Sequence, residues 1–355
     1  MFLKKLVVIG CLIASVALPG YATPLDELLP NEKNTINVFQ TASPKVVYVH
    51  RMKRIPHPRA APTTIKSGTG SGIIWDKQGH IVTNFHVVKG ADQLSVTFGK
   101  LTVPAKVIGV EPRKDIAVLA LSSPKALALL KAYVPFEMAP TSALLVGQKA
   151  IAIGNPFGLD HTLTVGVISA LRRQVPGVGG IKIHDMVQTD ASINPGNSGG
   201  PLLDSHGRLI GLNSVIFSQS GTSAGIGFAV PADDISHIVT QIIKHGRVVL
   251  AGIGILPVDP KDARRLGIKE GILISKVIPR TPAAFAQLRA TQRHGWGRSS
   301  VGDTIVELNG HRIRNYGALY HLLSDVKVGD KITLTLIREG RRIHTRIKTI
   351  DIAAY

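Results

Sequence analysis

Cysteine is nearly absent. Cys11 is the only one in 355 residues, and it falls inside an N-terminal segment that reads as an export signal. A mature chain without thiols forms no disulfide, has no thiolate nucleophile and builds no thiolate metal site. Acidic residues are also scarce, 23 against 42 Lys and Arg, for a formal net charge of +19. The basic excess is spread over both halves and comes with no helix-turn-helix, RNP-type aromatic motif or zinc finger, so nucleic acid is not an expected partner. It reads as a solvated surface, with attraction to anionic lipid or acidic substrates secondary. A nucleotide-binding loop is missing as well: Gly68-Thr69-Gly70-Ser71-Gly72 lacks the Lys-Ser/Thr ending and the following helix of a phosphate cradle. It reads as a glycine-rich strand whose backbone neighbours come close. No cofactor and no metal is expected.

Long apolar runs are few. The stretch Leu6 to Leu18 is about 13 residues, short of the ~20 that an untilted membrane-spanning helix needs. It lies between the basic Lys4 and Lys5 and the small-x-small site Gly20-Tyr21-Ala22, the three parts of a secretory signal over residues 1–22. Cleavage there would start the mature chain at Thr23; retention of the segment as an uncleaved anchor is the alternative. Val8-Ile9-Gly10-Cys11 looks like a lipoprotein processing site, but about five apolar residues precede it, so Cys11 reads as filler of the apolar region. An export signal without disulfides points to a bacterial periplasm or cell envelope.

With 44% apolar residues the chain can fill ordinary cores, and its length allows two or three domains. From about Lys45 to Ala229, short β-rich runs alternate with Gly, Pro and Asn. They include Val46 to His50, Gly72 to Trp75, Leu94 to Phe98, Lys149 to Ile153 and Thr162 to Ala170. Regular short strands without helical patterns predict an all-β barrel or sandwich. Arg51 to Lys66, rich in Pro and basic residues with no apolar period, is predicted to be a flexible surface loop, as is Gln174 to Gly180. Pro231 opens an amphipathic helix with Ile235, Ile238, Val239, Ile242 and Ile243 on one face, Asp233 and Asp234 in its first turn and Gly246 as its stop. That helix closes a first domain over 23–246. Beyond the linker Arg247 to Ala251 the pattern changes to a mixed α/β unit over 252–355. Its strands are predicted near Ile253, Ile272 to Val277, Thr304 to Leu308 and Ile332 to Arg338, with helices near Pro282 to Leu288 and Tyr316 to Leu323.

The chemistry is carried by Gly196-Asn197-Ser198-Gly199-Gly200-Pro201. A serine hydroxyl is a poor nucleophile at neutral pH; it needs a base, and the base needs a third group to fix its tautomer. His86, in Thr83-Asn84-Phe85-His86-Val87-Val88, is the candidate base, and Asp115, in Lys114-Asp115-Ile116-Ala117-Val118-Leu119, the candidate orienter. The order His, Asp, Ser, with gaps of 29 and 83 residues, is the chymotrypsin order. Taken singly, such a histidine reads as core and such an aspartate as a turn or cap; arriving together and in order, the three motifs read as catalytic. The glycines around Ser198 permit a tight turn, making Gly196, Asn197 and Ser198 the candidate oxyanion hole, with the N–H groups of Gly196 and Ser198 as its donors.

These stretches are joined by Ile153-Gly154-Asn155-Pro156-Phe157-Gly158-Leu159, Gln188-Thr189-Asp190-Ala191 and Asn194-Pro195-Gly196-Asn197-Ser198-Gly199-Gly200-Pro201-Leu202. Together they resemble the HtrA/Deg family of envelope and organelle serine proteases over nearly the full mature length. The resemblance implies a mainly β fold: a chymotrypsin-like double β-barrel followed by a smaller α/β PDZ domain. It implies the same triad, His86, Asp115 and Ser198. It further implies an ATP-independent endopeptidase that degrades unfolded or misfolded proteins, often with holdase activity, assembled as a homotrimer or a multiple of trimers. Its PDZ domain would take peptide C-termini as an added strand. By the same likeness Gly252-Ile253-Gly254-Ile255 occupies the place of the PDZ carboxylate loop, and Phe39 that of a trimer contact, although a lone aromatic is as readily core.

Three departures stand out. Gly252 sits where an aromatic or larger residue is common, one PDZ unit is present where some relatives carry two, and Arg289 to Ser300 is inserted. The PDZ unit and its insertion are closer to chloroplast-type relatives, whereas the signal is bacterial in type. Ser192, six residues before the nucleophile, is neutral where an aspartate would select Arg or Lys. Ile193 and Ile226 could line an apolar pocket for Val, Ala or Ile before the scissile bond. Asn197 stands where digestive trypsin-like enzymes use Asp to receive a newly cut N-terminus, and an amide cannot form that ion pair. Gating would then fall to rearrangement of Ile193 to Asn197, Val215 to Gly225 and Leu171 to Gly180. The competing reading, a chaperone or PDZ scaffold without proteolysis, has no use for Ser198, His86 and Asp115 together.

Overall fold

The computed structural model describes residues 27–57, 60–156, 160–176, 182–194, 196–214, 225–293, 299–324 and 326–352. The expected signal segment lies outside them. Helix α1 (Pro30–Ala42) leads into β1 (Val46–His57), β2 (Ala60–Ile74), β3 (His80–Asn84), the single turn α2 (Phe85–Val88), β4 (Gln93–Phe98), β5 (Leu101–Glu111) and β6 (Ile116–Leu121). The strands run β1-β2-β3-β6-β5-β4, and pairing of β1 with β4 through Tyr48 and Thr97 closes a barrel. After α3 (Pro124–Leu130), a second barrel follows from β7 (Lys149–Gly154), β8 (Thr162–Pro176), β9 (Lys182–Thr189), β10 (Pro201–Leu203), β11 (Leu209–Ser214) and β12 (Gly227–Pro231). Its order is β10-β11-β12-β9-β8-β7, closed where Leu202 faces Ala152. The barrel class expected from the short strands is therefore what the chain adopts.

Helix α4 (Ala232–His245) seals the pair of barrels. Its buried stripe is Ile235, Ile238, Val239 and Ile242, each contributing about 1.5–3 kcal/mol by leaving water. Ile243, predicted on that face, is 37% exposed because it falls past the edge of the stripe. Gly246 ends the helix at φ 72, as its sequence position foretold. One apolar core joins Ile73, Val82 and Ile116 of the first barrel to Ile151, Leu203 and Val230 of the second, with Val38 of α1 and the α4 stripe. Phe39 packs against this core, partly buried. Because the two barrels share a core, the loops that meet between them are held in fixed relation.

The stretch Arg51 to Lys66 is not a loop. β1 and β2 stay paired through Met52 with Lys66, Lys53 with Ile65, Arg54 with Thr64 and Ile55 with Thr63, as far as His57 with Ala60. Lys53, Arg54, Ile55, Thr63, Thr64, Ile65 and Lys66 are all exposed, so neither face imposes the apolar alternation by which strands are recognised. Side chains reinforce the ladder: Asp92 Oδ2 accepts the Arg54 N–H (2.7 Å), and the Arg51 guanidinium donates to the carbonyls of Ser67 (3.1 Å) and Lys89 (2.6 Å). Gln174 to Pro176 likewise belong to β8, with Val175 facing Ile183; 177–180 lie outside the described residues.

The C-terminal unit is a sheet in the order Ile255–Pro257, Ile272–Val277, Thr304–Leu308, Lys331–Arg338 and Arg341–Lys348, with helices Pro260–Arg265, Pro282–Phe285 and Tyr316–Ser324. The predicted helix at Pro282 ends at Phe285, short of Leu288. Near Ile253 the two-residue strand Ala251–Gly252 pairs with Ile350–Asp351. The insertion supplies an antiparallel pair, Gln292 with Ser300 and Arg293 with Ser299; 294–298 lie outside the described residues. Asp303 is fully buried and accepts from Arg338 Nε and Nη2 (2.7 Å each) and from the Arg289 N–H (2.8 Å). Asp303→Ala would strand that guanidinium, and a loss of about 3 kcal/mol is expected. Urea unfolding of the full chain checks it; a wild-type transition for this unit would contradict the assignment.

Candidate active site

Asp115 is the residue that organises the site. It sits in the turn before β6 at φ 54, 1% exposed, a left-handed conformation that costs a non-glycine residue about 1–2 kcal/mol. Local bonds hold it there: its carbonyl accepts from the Phe85 N–H and from Asn84 Nδ2, both at 3.0 Å. Three donors converge on its carboxylate. Oδ1 takes the His86 N–H (3.0 Å), and Oδ2 takes His86 Nδ1 (2.7 Å) and the Ser214 hydroxyl (2.6 Å). An ionised carboxylate only accepts, so the imidazole must carry its hydrogen on Nδ1 and present the lone pair of Nε2 to the cleft. β3 ends at Asn84 and α2 begins at Phe85, which sets His86 at the mouth of the first barrel with its side chain 32% exposed.

Ser198 lies in the turn entering β10. Its Oγ is buried and makes no hydrogen bond, so the link to His86 Nε2 is not formed in this arrangement; such contacts often tighten only around substrate. The turn is closed by Gly199 N–H to the Asn213 carbonyl (2.8 Å), Gly200 N–H to the Asn197 carbonyl (3.0 Å) and Ser71 N–H to the Ser198 carbonyl (2.8 Å). Gly196 and Gly199 have φ of 119 and 81, and a Cβ on either would sit 2.4 Å from Pro156 Cβ or 2.2 Å from the Ser71 carbonyl oxygen. No other residue fits there.

Among the described residues, the N–H groups of Gly196 and Ser198 donate to no protein acceptor. Asn197, in the same turn, contributes no donor of its own: its N–H is spent on the Asn194 carbonyl (3.1 Å). Its amide instead binds the Asn194 N–H and the Ser192 carbonyl, both at 2.9 Å. The polar group at that position is therefore satisfied by its own loop.

The expected specificity residues are divided. Ile193 is 5% exposed, in the core of the second barrel beside Gly227, with little surface to line a pocket, whereas Ile226 is 49% exposed. Ser192 offers its carbonyl to Thr164 Oγ1 (3.0 Å) and to Asn197. Pro195, 177–180 and 215–224, parts of the segments expected to move, lie outside the described residues. Gln188-Thr189-Asp190-Ala191 is a stitch between strands: Asp190 Oδ1 accepts the Val167 N–H (2.7 Å) and Thr189 Oγ1 donates to the Val167 carbonyl (2.8 Å). Ser214, the second side-chain donor to Asp115, was not legible in the sequence, because a serine ending a buried strand has no distinguishing pattern. Among the described residues, no three His, Cys, Asp or Glu side chains converge as a metal site.

In the C-terminal unit, Ile253 is core and its carbonyl accepts the Ala283 N–H (2.9 Å), while the Gly254 carbonyl accepts the Ile278 N–H (2.9 Å). A Cβ on Gly252 would lie 2.1 Å from Ile352 Cγ2. Ile352 thus takes the space that a larger residue would need at this position. The next strand, Ile255–Pro257, is an edge of its sheet, with Leu256 48% exposed.

The trypsin-like peptidase domain family matches residues 70–212, and the PDZ domain family matches 251–349. Protease Do-like 1, chloroplastic, of Arabidopsis thaliana is 45% identical over 315 residues, covering 88% of this chain and 70% of that protein. Periplasmic serine endoprotease DegP of Escherichia coli is 36% identical over 285 residues, covering 79% of this chain and 56% of DegP, so the chain spans little more than half of that relative. Among solved structures, the HtrA-type protease AlgW with a decapeptide superposes with a TM-score of 0.66 at 31% identity, over 89% of this chain and 98% of AlgW.

Proposed function

Since the chain belongs to the HtrA-type, Do-like family of serine endopeptidases, we propose that it degrades unfolded or misfolded proteins in a cell envelope without ATP, through Ser198, His86 and Asp115. The observation that carries this reading is the bond from His86 Nδ1 to Asp115, buttressed by Ser214, together with a buried Ser198 hydroxyl that no protein group engages. As Ser198 Oγ attacks the peptide carbonyl carbon, His86 Nε2 takes its proton, and the tetrahedral oxyanion is received by the N–H groups of Gly196 and Ser198. His86 then hands the proton to the leaving amine, giving an acyl-enzyme ester. Water, deprotonated by the same nitrogen, attacks the ester, releases the acid and restores the serine.

Asn197 satisfies its amide within the loop, which supports activation by loop movement rather than by a newly cut N-terminus. The open edge of Ile255–Pro257 and the loop 252–255 suit an incoming peptide C-terminus added as a strand; the structure of AlgW was solved with a decapeptide. Holdase activity, assembly from trimers and a periplasmic address belong to the same proposal; the periplasmic relatives and the bacterial-type signal support the address, while the similarity to chloroplast relatives does not favour it. With Ser192 neutral and Ile226 exposed, cleavage of a peptide library is expected to follow Val, Ala or Ile. Cleavage mainly after Arg or Lys would refute that preference. The function itself is tested by incubating unfolded casein with the mature protein in the absence of ATP: peptide release is expected, and persistent absence of release, even with an added PDZ-binding peptide, would overturn the reading.

A further inference from the structure

Ser71 is fully buried on β2, in the first barrel, yet its side chain serves the second. Its hydroxyl oxygen accepts the Asn155 N–H (2.8 Å) from the segment after β7, and its hydroxyl hydrogen goes to the Gly196 carbonyl (2.5 Å). Its own backbone is tied to the same turn, since the Ser71 N–H binds the Ser198 carbonyl (2.8 Å), and its carbonyl is held by Thr83 Oγ1 (2.7 Å). Pro156, next to Asn155, closes on the Cα of Gly196 so tightly that a Cβ there would be 2.4 Å away.

We propose that Ser71 is a positioning residue that sets the Gly196 N–H toward the oxyanion, with Asn155 and Pro156 as its backing. A glycine at φ 119 has wide freedom to rotate, and rotation would swing the Gly196 N–H away from the place where charge develops. Two constraints oppose it: the peptide unit that follows Gly196 is held at both of its polar groups, the carbonyl by Ser71 and the Asn197 N–H by Asn194, and Pro156 closes on the Gly196 Cα. A hydroxyl suits the task because it donates and accepts at once, so one atom group couples the Asn155 segment to the oxyanion loop across the junction of the barrels. The motif Ile153-Gly154-Asn155-Pro156 thereby acquires a role that its apolar strand end alone does not explain.

The inference rests on the endopeptidase reading, and the experiment separates the two. Casein turnover, melting temperature and the rate of labelling by a fluorophosphonate, which needs the serine and the oxyanion hole but no specificity pocket, are measured on the full protein and on Ser71→Ala. A donor that is kept but no longer aimed should cost less than one removed. A drop of about 10- to 100-fold in kcat is expected, with KM unchanged and labelling slowed in step. Ser71→Cys, a weaker donor of similar size, should fall between, and it decides the matter if Ser71→Ala does not fold. A wild type that neither cleaves nor labels would defeat the endopeptidase reading. A wild type that does both, with variants that keep wild-type kcat and labelling or change only KM or melting temperature, would overturn the role given to Ser71.

Discussion

Ser198→Ala is expected to lower casein turnover about 10⁶-fold while leaving the fold and the binding of unfolded protein intact. The size of the effect follows from the division of labour: without the hydroxyl no acyl-enzyme forms, and the oxyanion donors and bound substrate alone retain only the residual catalysis typical of such sites. The structure adds an expectation about stability. Ser198 Oγ is buried without a partner, so its removal breaks no hydrogen bond and relieves an unsatisfied polar group. The variant should melt at or slightly above the wild-type temperature. Turnover, melting temperature and suppression of lysozyme aggregation in one preparation check all three; turnover within a hundredfold of wild type would mean that another group is the nucleophile.

The second large effect is expected at Asp115. Asp115→Asn should cost about 10⁴ in kcat, because the amide offers one accepting oxygen where His86 N–H, His86 Nδ1 and the Ser214 hydroxyl now find two. The imidazole loses the partner that fixes its tautomer, so Nε2 no longer waits as a base. Asn tolerates the left-handed backbone at this position, as Asp does, so the fold should survive. Ala would be worse for stability, since it would leave three donors unmet and keep the strain. Because the triad acts as a unit, Asp115→Asn combined with Ser198→Ala should be no slower than Ser198→Ala alone. A double variant slower by a further 10⁴ would show that Asp115 acts independently of the serine.

The triad was legible because each member sits in a short local motif whose order is chemically meaningful. Barrel strands were legible where one face meets the core, as in Leu94 to Phe98, and where a continuous apolar run is buried on both faces, as in Lys149 to Ile153. They were hidden in the Arg51 to Lys66 hairpin, where both faces meet water and only the backbone ladder defines the strand. Ser214 and Ser71 were hidden for another reason. They reach the site from buried strands brought near by barrel closure, and Ser71 and Gly196 are 125 residues apart. Asn197 was half legible: its failure to form an ion pair was readable from its type, while the commitment of its N–H to Asn194 depends on a turn that only the folded loop reveals. Gly252 looked anomalous until Ile352 was seen to fill the space above it.

The most direct test of the central claim is to react the mature protein with a fluorophosphonate and locate the adduct by mass spectrometry of its peptides. One adduct on Ser198 is expected, absent from Ser198→Ala and strongly slowed by His86→Ala. Casein cleavage that proceeds at the wild-type rate with Ser198 unmodified, or an inactivating adduct on any other residue, would contradict it.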